Sequence, residues 1–222
     1  MNMSDRKSFT VIGLGIFGSA VAKTLARAGM DVIAIDRSMP AVENIADTID
    51  NAVRANATDI EQLKEAGVPS TDVAVLAMGS HLEDSIVTIL NLKELGIKEI
   101  IVKANNNNYK YVFEKIGATR VIQPEKEMGI KSGLMIMSPN IRDLIQLDDR
   151  YAIVEIATPS LWQNHSLEEL GLRAKYGINV IGLRENEHSN LNMMIDASEP
   201  LSPGTILVMI VERKKFDKLK LE

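Results

Sequence analysis

Short apolar runs recur along the first part of the chain: "FTVIG" (9–13), "DVIAID" (31–36), "NAVRAN" (51–56), "DVAVLAM" (72–78), "EIIVKA" (99–104) and "TRVIQ" (119–123). Their nearly unbroken apolar character predicts strands buried on both faces. Between them lie amphipathic stretches with helical spacing, at 17–28, 39–49, 59–66, 80–95 and 109–116. Gly29, Gly67, Gly96 and Gly117 fall at or just past the last turn of four of these, where a left-handed residue ends a helix. Strand–helix alternation of this kind predicts a doubly wound parallel α/β sheet, Rossmann-like in plan.

The pattern changes near Met137. "MSPNIRDLIQLDDR" reads as a Ser-Pro-Asn breaker followed by a polar turn at Asp148–Arg150. After it come "YAIVEIAT" (151–158), the short helical stretch "SLEELGL" (166–172), "INVIGLRE" (178–185), "LNMMI" (191–195) and "TILVMIV" (205–211). These predict a small, strand-rich α+β domain. The expected division is therefore a nucleotide-binding domain over 1–138, a linker over 139–150 and a second domain over 151–222. A domain that small buries little of its own surface, so dimerisation through it is expected.

Composition narrows the function classes. The chain has 222 residues, 45% of them hydrophobic and 25% charged, a balance that favours a packed core over disorder. A formal net charge of −5 gives no electrostatic ground for nucleic acid or anionic lipid as a partner. The absence of cysteine removes disulfides, thiolate metal sites and thiol nucleophiles. No run approaches the apolar length needed to span a bilayer, and the charged start "MNMSDRKSF" has no apolar signal core behind it. A cytoplasmic protein is expected.

The first strand ends in Gly13-Leu14-Gly15-Ile16-Phe17-Gly18 and a helix follows, the setting in which a glycine turn carries meaning. Gly13 suits the sharp turn, Gly15 lets the backbone approach a pyrophosphate, and Gly18 lets helix and strand pack closely. The helix N-terminus presents free N–H groups and partial positive charge to phosphate. Asp36 ends the second strand about 20 residues on, where a carboxylate accepts ribose hydroxyls and repels a 2′-phosphate; Arg37 beside it softens that exclusion. Asn56 and Thr58 follow the third strand, Gly79 and Ser80 the fourth, and Lys103 ends the fifth. Each has a plain alternative, since Asn, Thr and Ser cap helices and an exposed lysine is often only solvated. His81, His165 and His188 are scattered without an acid or nucleophile partner in sequence, so no catalytic set accompanies the pocket.

Taken together, "VIGLGIFG", Asp36, "NATD", "MGSHLEDS", "VKA", "EKIGATRVIQPEKEMG" and "LRAKYGINVIGL" resemble the KtrA/TrkA-type RCK proteins, cytosolic regulatory subunits of bacterial potassium-uptake systems. The resemblance covers nearly the whole chain. It implies an RCK-N domain taking ATP, ADP or NAD(H), with Gly13, Gly15, Ile16, Phe17, Gly18, Asp36, Arg37, Asn56, Ala57, Thr58, Ala77, Gly79, Ser80 and Lys103 around the nucleotide. It implies an RCK-C domain in which Leu167, Leu172, Arg173, Asn179 and Val180 match positions that hold cyclic di-AMP in relatives. By residue type alone, Leu167, Leu172 and Val180 suit a core or a dimer contact. Glu125 matches a position that places a divalent cation, Mg²⁺ or Ca²⁺, near the phosphates; its alternative is an acid in the first turn of a helix opened by Pro124.

The resemblance further implies dimers assembled into an octameric ring under a membrane-embedded potassium-translocating subunit of the KtrB or TrkH kind, gated by nucleotide exchange. Two local departures stand out. Ile16 occupies a position where many relatives carry an arginine that reaches the terminal phosphate, which implies weak discrimination between ATP and ADP. Met194-Ile195 stands where relatives tend to have Ser-Pro. The rival readings are a small NAD-dependent oxidoreductase and a free-standing nucleotide or cyclic di-AMP sensor.

Overall fold

The computed structural model describes residues 7–79, 81–137 and 140–216. The chain divides into two compact units, Met1–Glu127 and Met128–Glu222.

In the N-terminal unit the apolar runs form β1 (Ser8–Ile12), β2 (Asp31–Asp36), β3 (Asn51–Arg54), β4 (Val73–Leu76), β5 (Glu99–Lys103) and β6 (Arg120–Ile122). All pair in parallel, in the order β3-β2-β1-β4-β5-β6. Alternate side chains feed two cores. Val11, Ala34 and Val75 pack with α1 (Ile16–Arg27) and α2 (Met39–Ala46) on one face. Ile12, Ile35 and Leu76 pack with α3 (Ile60–Glu65), α4 (Leu82–Glu94) and α5 (Asn107–Ile116) on the other. Ile12 lies opposite both Ile35 and Leu76, so β1 and β4 finish level and β2 runs one residue further, to Asp36. The strand order reverses between β1 and β4, which opens a crevice beyond their carboxyl ends.

The helix α6 (Pro124–Met137) follows β6, opened by Pro124 with Glu125 and Glu127 in its first turn. In the C-terminal unit β7 (Ile141–Gln146), β8 (Tyr151–Ala157), β9 (Asn179–Arg184) and β10 (Ile206–Glu212) form an antiparallel sheet ordered β7-β8-β10-β9. Ala152, Val154, Ile156, Leu207, Met209 and Val211 project from it into one core with Trp162 and Leu172. The short helices α7 (Leu167–Leu170) and α8 (Leu172–Tyr176) flank that core, and α9 (Arg213–Phe216) follows β10.

Two stretches differ from the sequence reading. The segment 139–150, read as a linker, contains β7, paired with β8 across a register shift between Ile141 and Asp143. That irregularity breaks the strict alternation by which a strand is read. Met135 of α6 packs on the C-terminal core as well, so the division falls at 127/128 and not at 138. "LNMMI" is no strand: one isolated bridge, Leu183 to Asn192, touches the sheet. Asn192 Oδ1 then accepts the Met194 N–H at 2.9 Å, turning the chain outward and leaving Met193 and Met194 exposed. No helix among the described residues is long and apolar enough to cross a membrane.

Candidate functional site

A cleft of about 290 Å³ lies beyond the ends of β1, β2 and β4. Gly13, Gly15, Asp36, Arg37, Asn56, Ala57, Thr58, Ala77 and Gly79 line it, together with Ile12, Ala55, Met78, His81 and Asp84. Three glycines shape one edge in three different ways. Gly13 sits at φ +92°, and a Cβ there would lie 3.0 Å from the Met78 backbone nitrogen. A Cβ on Gly18 would fall on the Gly13 carbonyl oxygen and 3.0 Å from Ala77 Cβ, so this glycine sets the helix–strand approach. Gly15 has an ordinary φ of −67°, and a Cβ there would meet nothing within 4 Å. The missing side chain at Gly15 therefore serves neither backbone strain nor packing; it leaves open space beside the N-terminus of α1, which no side chain caps.

Asp36 ties the turn to the sheet. Its Oδ2 accepts the Leu14 N–H at 2.7 Å and its Oδ1 accepts the Ser38 N–H at 2.8 Å. Each carboxylate oxygen keeps a further lone pair, and the side chain lines the cleft. Across the cleft the loop after β3 is held by its own bonds: Asn56 Oδ1 accepts the Thr58 hydroxyl at 2.9 Å and the Thr58 N–H at 3.2 Å. Asn91 of α4 donates to the carbonyls of Ala57 and Thr58 at 3.2 and 3.1 Å. The helix cap here is Asp59, which accepts from Glu61 and Gln62, so the Asn56 and Thr58 side chains serve the turn and not the cap.

Arg37 and Asp84, from opposite walls, approach to 3.7 Å between Nη1 and Oδ2. The sequence reading missed Asp84, because an acid in the first turn of a helix is ordinary. His81 precedes α4 and makes no capping bond with its side chain.

A second hollow, about 380 Å³, is lined by Gly79, Lys103, Asn105 and Glu125, and meets the cleft at Gly79. Asn105 donates its side-chain amide to the Gly79 carbonyl. Lys103 is mostly buried, pairs with Glu125 and lies 6.0 Å from the centroid of the Phe17 ring. That ammonium, hydrogen-bonded to the carboxylate, holds the Glu125 carboxyl below the ordinary range. Among the described residues no group of three or more His, Cys, Asp or Glu side chains is arranged to hold a metal ion. With one carboxylate already engaged by a lysine, this chain alone does not fit a divalent cation. Ile16 is 97% exposed and lines neither cavity. Ser80 lies outside the described residues.

In the C-terminal unit Ser166 and Glu169 form a reciprocal cap on α7, which Leu167 opens. Gly171 and Gly177, both left-handed, bracket α8. Leu172 is buried in the core, Leu167 and Val180 are half-buried against it, and Arg173 and Asn179 are exposed.

The sheet order and the glycine turn define a Rossmann-like α/β domain followed by a small antiparallel one. Residues 9–124 match the TrkA-N domain model and 151–221 the TrkA-C domain model. Ktr system potassium uptake protein C of Bacillus subtilis (strain 168) is 35% identical over 216 residues, covering 96% of this chain and 97% of that protein. Ktr system potassium uptake protein A of the same organism is 34% identical over 222 residues, covering 100% and 99%. A solved GsuK channel bound to NAD aligns with a TM-score of 0.65 at 15% identity. The alignment covers 97% of this chain and 39% of that channel, a likeness of fold. The chain belongs to the TrkA-N/TrkA-C family and is homologous to the Ktr potassium uptake proteins.

Proposed function

We propose that this chain is the regulatory subunit of a potassium-uptake system and that its N-terminal unit binds an adenine nucleotide, ATP, ADP or NAD(H), as a signal. The observation that carries the reading is the cleft itself, which gathers Gly15, Asp36 and the Asn56–Thr58 loop around one space. In it the phosphates rest against the open face of Gly15 and the N-terminus of α1, and Asp36 accepts the ribose hydroxyls. The base lies against the loop after β3, and Lys103 supplies positive charge at the far end once Glu125 releases it. A ligand of this kind does its work by binding one conformation better than another, and only that difference shifts gating.

The partner is a membrane-embedded potassium-translocating subunit of the KtrB or TrkH kind. The chain meets it from the cytoplasmic side as a homodimer built into an octameric ring. Arg173 of α8 and Asn179 of β9, both exposed, suit the phosphates and base edges of cyclic di-AMP.

Calorimetric titration of the purified chain with ATP, ADP, NAD and NADH, followed by light scattering of each complex, tests the proposal. Micromolar binding that Asp36→Ala weakens, with ligand-dependent assembly size, is the expected result. Substrate-dependent change in NADH absorbance with no change in assembly would replace it with an oxidoreductase.

A further inference from the structure

We propose that Arg37 and Asp84 form a clasp over the mouth of the cleft, Arg37 covering the base of the bound nucleotide and Asp84 holding its guanidinium in place. The proposal rests on the nucleotide reading above. Both residues line the cleft, and they reach it from different walls: Arg37 follows β2, and Asp84 stands in the first turn of α4, after β4. In the sheet β1 lies between β2 and β4. The pair therefore spans about 10 Å, two strand spacings, over the end of β1 and the glycine turn.

Folding gives little reason for such a bridge. The two side chains are 69% and 40% exposed, and water and salt screen a pair of that kind to small value. The acid needs no arginine where it stands, since the N-terminus of α4 already favours negative charge. What the pair does have is position. Arg37 and His81 are the basic side chains on the cleft wall, and Asp36, next to Arg37, holds the ribose end. A guanidinium there lies flat against a purine, where its charge and its planar face both contribute. At 3.7 Å the present pair is loose, with room to open and to reclose on a ligand. Asp84 is a positioning residue in this scheme and touches no ligand itself.

Surface plasmon resonance on the full-length chain, with ADP and NAD as probes, separates the roles. Arg37→Ala is expected to speed release about tenfold, the scale of a desolvated cation–π contact. Asp84→Ala is expected to speed it about threefold, the scale of an exposed pair, and to add nothing when Arg37 is already alanine. Raising salt should quicken release from the wild type more than from Arg37→Ala. Unchanged release rates in both single variants, or effects that simply add, would overturn the clasp while a loss of binding in Asp36→Ala leaves the nucleotide reading standing. A wild-type chain that binds neither probe overturns both.

Discussion

The glycines of the opening turn have one spelling and three physical reasons, and substitution separates them. Gly15→Ala is expected to cost at most about 1 kcal/mol of stability, the loss of a good N-cap residue, and to weaken nucleotide binding at least tenfold by filling the open face. Gly18→Ala places a methyl group on the Gly13 carbonyl oxygen and is expected to cost about 3 kcal/mol, at the upper end for overpacking. Thermal melts and calorimetric titration of the two variants check the contrast. Ile16, almost wholly exposed beside the same turn, offers no donor to a phosphate. Affinities for ATP and ADP within tenfold of each other are expected, and an Ile16→Arg variant should widen the gap in favour of ATP. Asp36 is less simple than its place in the motif suggests. Because its two oxygens hold Leu14 and Ser38, its removal loosens the turn as well as the ribose contact.

At the scale of elements, two carboxylates tie helices to neighbouring strands: Asp143 of β7 pairs with Lys131 of α6, and Glu125 of α6 with Lys103 of β5. Hydrogen bonding to the lysine is the main cause that lowers each carboxyl below its unfolded value near 4. A depressed acid contributes stability that is present above the unfolded value and is lost as pH falls through the folded one. Urea melts between pH 7 and pH 2.5 should show stability dropping below about pH 4, with Asp143→Asn flattening that slope.

The strands and helices of the N-terminal unit were legible because the parallel strands are nearly unbroken apolar runs and their helices carry clean stops, as at Gly67 and Gly117. The shift between Ile141 and Asp143 hid β7, and the apolar letters of "LNMMI" misled because Met193 and Met194 face water. In the cleft and the hollow that meets it, residues carried by a motif or a strand end were legible. Asp84 and Asn105 were not, since what marks them is proximity in space: a partner across the cleft for one, the Gly79 carbonyl for the other.

For the molecule as a whole, the two units have separate cores, one pair of clusters around the parallel sheet and another cluster under the antiparallel one. Each is expected to melt as its own cooperative step. A ligand confined to the cleft then stabilises one step only, by about 2.7 kcal/mol at a hundredfold excess over Kd. Scanning calorimetry with saturating ADP should raise one transition and leave the other in place. Cyclic di-AMP should act on the opposite transition, through Arg173 and Asn179.

The pairing of β7 with β8 decides where the chain can be cut. The matched TrkA-C segment starts at Tyr151, the first residue of β8, and a recombinant fragment begun there lacks β7 altogether. It would present the bare edge of β8, a row of unpaired amides and carbonyls ready to recruit strands from other molecules. Such a fragment is expected to aggregate, whereas one begun before Ile141 brings its own edge strand and stays in solution.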